Sequence, residues 1–330
     1  MAVSIADIQK LRKMTGAGLS DCKKALTETE GNFDKAVEII REKGQAIAAK
    51  RSDRETSNGC VLVKYADNFG AIVALKCETD FVANGADYIK LTQDILDAAV
   101  AAKAKSLDEV KELTLADGTK VLDAVVARSG ITGEKMELDG YNFIKGENIS
   151  TYDHIGKHTL CTMVQTNKAA EEQAHAIAMQ VAAMKPMFLD EASVSQEFIE
   201  EEKKVAAEKT KQELVQKAVD AALKKAGINP AHVDSEEHME SNMGKGWITA
   251  EDVAKAKEII ATVSAEKAAN LPAQMIENIV KGRINRIYKE NCLLNQEFIQ
   301  DSKLSVADYL KAADKDLTVV DYKRFSLSAD

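Results

Sequence analysis

The same succession of signals occurs twice in this chain, and it narrows the possible folds more than any other feature. Gly59-Cys60-Val61-Leu62-Val63-Lys64-Tyr65 reads as a strand, Asp67-Asn68-Phe69-Gly70 as a turn, and residues 71–77 as a returning strand. Runs of β-branched and apolar residues of this length, separated by turn residues, signal a hairpin. A helix over 88–104 follows, with Ile89, Leu91, Ile95, Leu96 and Ala99 as its apolar positions. The second round has strands at 148–153 and 159–164, then a helix over 169–184 that Lys185-Pro186 ends. Further helices are expected at 107–113 and 121–129, and 317–327 alternates like a closing strand. An α+β fold follows, with a two-part core of antiparallel hairpins packed with helices.

Residues 1–47 read as a three-helix module. Ser4 caps a first helix with Ile5, Ile8, Leu11 and Met14. Thr15-Gly16-Ala17-Gly18 ends it, and a second helix carries Leu19, Cys22, Ala25 and Leu26. Asn32 caps a third with Phe33, Ala36, Val37 and Ile40 inward. Residues 48–58, small, charged and polar, read as a linker, followed by a first core subdomain over 59–147 and part of a second over 148–193. An insertion at 194–275 is helical and largely polar. Val215, Val219, Ala222 and Ala226 on one arm, and Val253, Ala256, Ile260 and Val263 on the other, step by threes and fours. That spacing predicts a long protruding antiparallel helical hairpin, coiled-coil-like. The stretch between the arms, "INPAHVDSEEHMESNMGKGWIT", is too irregular to place, and 276–330 is expected to complete the second subdomain.

Charge and cysteine content exclude several classes. The net charge is −9 and the pI near 5.3, a poor balance for general nucleic-acid binding. The five cysteines include no CxxC pair and sit among apolar neighbours, as expected for buried thiols in a reducing, cytoplasmic setting. No secretory h-region and no apolar run of about 18 residues is present, so no membrane association is expected.

Catalytic constellations are equally scarce. Gly16-Ala17-Gly18 with Lys23-Lys24 lacks the Gly-Lys-Ser/Thr ending of a phosphate loop. His154 and His158, if on one strand, lie about 13 Å apart, too far to share a metal ion. Glu78 and Asp80 would point to opposite faces of a continuing strand, which argues against paired acid–base work. No enzyme, metal or cofactor is expected. The stretch without a bland reading is "CETDFVANGADY" at 77–88. Phe81 stands at the strand-to-helix corner between Asp80 and Asn84-Gly85. It is either a core plug or an outward anchor of the kind that fills a partner's pocket.

"LRKMTGAGLSDCKKALTETEGNFDKAVEIIREKG" at 11–44 closely resembles the N-terminal module of the elongation factor Ts family, and "CETDFVAN" at 77–84 resembles that family's core signature. "HAIAMQVAAMKPMFL" at 175–189 and "IVKGRINRIYKENCLLNQEFI" at 279–299 are similar to its later blocks, in the same order. The resemblance implies a guanine-nucleotide exchange factor whose partner is elongation factor Tu. It implies that Thr79, Asp80, Phe81 and Val82 form the exchange element, displacing magnesium from the partner's site, with Phe81 as the wedge and Asp80 a polar partner beside it. Arg12, Leu19 and Lys23 match positions that face the GTPase, although Leu19 could equally be bundle core, and His154 matches a histidine near the partner. Two departures are visible: Asn84 stands where the family often has Lys, and the 194–275 region is longer than its short coiled coil. The competing reading is a helical adaptor without exchange activity, because the N-terminal module looks like a ubiquitin-associated (UBA-like) bundle.

Overall fold

A computed structural model describes residues 3–328. They form two compact units, one built from the chain up to residue 189 and from residue 297 onward, the other from residues 190–296. Helices and antiparallel sheets make the fold α+β.

The first unit opens with α1 (Ile5–Thr15), α2 (Leu19–Glu28) and α3 (Phe33–Lys50). Ser4 and Asp7 close a capping box on α1. Leu11, Cys22, Ala25, Leu26 and Ala36 form a small core, but Ile5 and Met14 of the expected stripe are exposed. Each step of three residues falls about 60° short of a full turn. Positions 5 and 14 therefore end up on opposite sides of the helix, and only Ile8 and Leu11 face inward. The expected linker from 48 begins later, because α3 continues to Lys50 through the helix-favouring Ala49 and Lys50.

Beyond α3, β1 (Asn58–Ala66) and β2 (Phe69–Cys77) pair antiparallel across the Asp67-Asn68 turn. Then come α4 (Asp80–Ala83), α5 (Ala86–Ala102), α6 (Leu107–Glu112), α7 (Val121–Thr132) and β3 (Met136–Lys145). The first sheet runs β1-β2-β3. β3 is absent from the sequence reading because Asp139-Gly140 breaks its alternation. The pairing slips at that point, between Ala74 and Leu75 of β2. Gly140 is there for space: a Cβ would run into the Phe325 ring and Ala74.

The second sheet pairs β4 (Ile149–Asp153), β5 (Leu160–Thr166) and the C-terminal β8 (Val319–Ser326). α8 (Glu171–Met184) covers it. A two-stranded ribbon, β6 (Glu297–Phe298) and β7 (Asp301–Ser305), and a short helix, α13 (Val306–Ala313), lie between residue 296 and β8. β2 is buried on both faces. Ala71, Val73 and Leu75 face a cluster with Tyr88, Ile95 and Leu96 of α5, while Ile72 and Ala74 face one with Ile149, Cys161 and Met163 of the second sheet. A strand so enclosed reads as a continuous apolar run rather than an alternating one.

The second unit holds α9 (Gln196–Lys225), α10 (Glu236–Gly244), α11 (Ala250–Ala269) and α12 (Ala273–Asn291). α9 packs against both α11 and α12, so three long helices stand where a two-armed hairpin is predicted. The boundary expected at 275 falls inside α12, whose amphipathic pattern is satisfied by α9 rather than by a sheet. Val219, Val253 and Ala256 pack together as expected, but Leu223, not Ala222, fills the α9 position between them. The connecting stretch is ordered by a 3₁₀ turn, Pro230–His232, by the Ser235 cap of α10, and by the burial of Val233, Met239 and Ile248.

Candidate functional site

The corner after β2 combines a fixed backbone with an exposed aromatic ring. Thr79 is extended, and its hydroxyl accepts from the Val82 amide, capping the single turn Asp80–Ala83. The Asn84 side chain donates to the Asp80 carbonyl at 2.8 Å and closes the other end of that turn. Ala83 is buried in the core, Val82 is half-buried against it, and Asp80 and Phe81 are turned outward. Phe81 is 87% exposed, the highest value among the described large hydrophobic residues. This decides between the two readings of Phe81: it is not a core plug.

Two carboxylates hold the residues just before it. Glu134 accepts from the Thr79 amide at 3.0 Å and from its hydroxyl at 2.6 Å. Glu78 accepts from the Lys135 amide at 2.6 Å and pairs with Arg51 and Arg54, each at 2.9 Å. The Lys135 amide above all, with the two guanidinium groups behind it, holds the Glu78 carboxyl down to about 2 against the opposing effect of burial. The Asn58 side chain donates to the Glu78 carbonyl at 2.9 Å. Glu78 is thus committed to structure, which removes it as an acid–base partner for Asp80. Beside Phe81, Arg128 pairs with Asp87 at 3.3 Å along a shallow depression that Val82, Gly85 and Thr132 also line.

The remaining candidates lie on other elements. Arg12 is exposed on α1. Leu19 is 49% exposed at the start of α2, and Lys23 follows one turn later on the same face. Core burial of Leu19 is therefore corrected: Cys22, Ala25 and Leu26 supply the inward face of α2. His154 and His158 are not on a strand: His154 opens a 3₁₀ turn, His154–Gly156, and His158 follows it in the loop before β5. His154 Nδ1 lies 3.1 Å from the Tyr152 hydroxyl, and His158 Nδ1 2.5 Å from Asp153. Between them Ile155 is 69% exposed with φ of 51°, a left-handed backbone that a β-branched residue rarely adopts. Lys157 and His158 share a cleft with Asp80 and Asn84, so this loop and the Phe81 corner border one surface. Arg12, Leu19 and Lys23 do not line that cleft.

The comparisons with known proteins agree along the chain. The family model described as elongation factor TS matches residues 78–229 and 216–329. Elongation factor Ts of Bacteroides fragilis is 67% identical over the full length of both chains. Elongation factor Ts of Bacteroides thetaiotaomicron is 65% identical, and that of Porphyromonas gingivalis 43%, again over the full length of both. The chain belongs to the elongation factor Ts family. Its membership makes it a translation elongation factor, and the Phe81 corner opens the part of the chain that the family model matches.

Sequence reasoning missed the residues that hold this corner. Glu134 is 55 positions from Thr79 in the chain, and its only local signal is Gly133 ending α7. Arg51 and Arg54 were hidden in a stretch read as linker, where two arginines three apart resemble solvated charge.

Proposed function

We propose that the chain is a guanine-nucleotide exchange factor that binds elongation factor Tu with GDP and promotes GDP release, so that GTP can bind during translation elongation. The observation that carries this reading is the Phe81 ring, held out from a capped and doubly braced corner within "CETDFVAN". In this reading Thr79, Asp80, Phe81 and Val82 are the exchange element. Phe81 enters a pocket of the GTPase near its switch region, and Asp80 supplies a polar contact beside it. The magnesium and phosphate contacts to GDP then loosen. Arg12, Leu19 and Lys23 of the N-terminal three-helix module, together with His154, face the partner.

The work is done by differential binding, so the exchanger itself requires no catalytic base, bound nucleotide, metal or cofactor. A preformed anchor suits the task, since its ordering cost is met during folding rather than at the moment of association. The partner is a protein, with no nucleic acid and no membrane in the interaction. Among the described residues no helix is long and apolar enough to cross a membrane.

The test is release of labelled GDP from elongation factor Tu, with wild-type chain and with Phe81→Ala, folding of both being checked by circular dichroism. Acceleration by wild type and a much weaker effect of the folded variant is the expected outcome. Equal rates for the two remove Phe81 from the mechanism. No acceleration by wild type overturns the exchange reading and leaves the helical adaptor in its place.

A further inference from the structure

We infer that Glu78 and Glu134 are positioning residues that couple the third helix of the N-terminal module to the Phe81 corner, so that the docked module sets the geometry of the exchange element. The inference rests on the exchange reading and adds to it a route from one part of the proposed partner surface to the other.

Two separate tracks on the molecule converge on residues 78 and 79. The first leaves the end of α3: Arg51 and Arg54 both grip the Glu78 carboxylate. Arg51 and Glu78 are largely shielded from solvent, with side-chain exposures of 30% and 13%, so this is not a fully solvated pair of little consequence. The second runs through α7. The α3 and α7 backbones meet at Gly44 and Gly130, where a Cβ on Gly130 would collide with the Gly44 backbone. Arg41 pairs with Asp123 at 2.8 Å along the same contact. At the end of α7, Ser129 donates to the Glu134 carbonyl at 2.5 Å, and the Glu134 carboxylate receives the Thr79 amide and hydroxyl.

Thr79 is the cap of the turn that displays Phe81. Movement of α3 against the core therefore acts at both residues that precede Asp80, through one ion-pair cluster and one capped helix end. Glycine at 130 sets the distance between α3 and α7, because a Cβ there would lie 2.4 Å from the Gly44 Cα, whereas one on Gly44 would meet the Val126 carbonyl at a tight 3.2 Å.

The experiment uses the full chain in three variants: Glu134→Ala, the double variant Arg51→Ala/Arg54→Ala, and Gly130→Ala. Hydrogen exchange on the free protein reads the mechanical part without any partner. The amides of Val82, Ala83 and Asn84 are expected to exchange about five- to tenfold faster in each variant, the scale of a lost cap. Protection across β5 is expected to stay at the wild-type level. GDP release from elongation factor Tu, titrated with the chain, reads the functional part. The saturating rate is expected to fall about fivefold or more, with the half-saturating concentration within about twofold of wild type. A merely structural role gives the opposite split, because a smaller folded fraction raises the half-saturating concentration and leaves the saturating rate. Glu134→Gln, which keeps one acceptor oxygen for Thr79, is expected to recover part of the rate.

Should Gly130→Ala fail to fold, the arginine double variant still decides, since its side chains lie outside the core. Unchanged exchange at 82–84 in the folded variants overturns the coupling. So does faster exchange there with a wild-type saturating rate. If wild type itself releases no GDP, the exchange reading fails and the functional coupling fails with it, whereas the hydrogen-exchange result reports separately on the mechanical link.

Discussion

Phe81 and Glu78 stand three positions apart and present opposite cases of what a side chain can contribute. Phe81 makes almost no use of its ring within the chain, so Phe81→Ala is expected to change stability by no more than about 0.5 kcal/mol, as surface substitutions do. Urea unfolding checks this, and a loss of more than that would mean that the ring is held by the fold and not kept for a partner. Glu78, by contrast, is used entirely inside the molecule. Its carboxyl is held from an ordinary value of 4.5 down to about 2. A group whose folded value is depressed stabilises in its ionised form, so the contribution is complete above about 4.5 and is lost as pH falls toward about 2. Glu78→Gln is accordingly expected to be less stable than wild type at neutral pH, with a gap that narrows steadily below pH 4.5. Urea midpoints for both proteins at pH 7, 4 and 3 measure that gap, and a constant difference across the series would show that ionisation of Glu78 contributes nothing.

Among the elements, α9 and α11 offer the sharpest test, because their pairing follows from a spacing rule that is nearly right. Leu223 is 2% exposed between Val219 and the α11 residues Val253 and Ala256. Leu223→Ala is expected to cost about 2–5 kcal/mol within the 190–296 unit, whereas Ala222→Ser, one position around the helix and only half-buried, should cost far less. Hydrogen exchange along α9 and α11 resolves the two, and equal effects would place the wrong residue at the contact. The stepped apolar positions were legible here because each long helix has one buried stripe. Other elements were hidden for definite reasons. β3 is masked by the slip at Gly140, and the tail of α3 resembles a linker because its last residues, Ala49 and Lys50, run straight into the charged and polar stretch from Arg51. The corner itself was legible as an oddity in Phe81, but its two carboxylate braces were not. They depend on contacts 55 and 57 residues apart that no local pattern encodes.

For the whole molecule, the decisive constraint on the proposed exchange activity is thermodynamic and does not depend on which contacts deliver it. If the chain lowers the affinity of elongation factor Tu for GDP by some factor, GDP must lower the affinity of the GTPase for the chain by the same factor. Each tenfold corresponds to about 1.4 kcal/mol of preference for the state with the disturbed nucleotide site. A corner that is preformed in the free chain puts that preference into the partner's conformation, since the chain itself has little to rearrange. Two calorimetric titrations test this, one of the chain into nucleotide-free elongation factor Tu and one into its GDP complex. The second is expected to be weaker by the ratio in which the chain weakens GDP binding. Phe81→Ala should shrink that ratio and leave part of the affinity to Arg12, Leu19, Lys23 and His154. If Phe81→Ala lowered both affinities equally and preserved the ratio, Phe81 would be a simple docking contact, and the discrimination between the two nucleotide states would have to arise elsewhere on the surface.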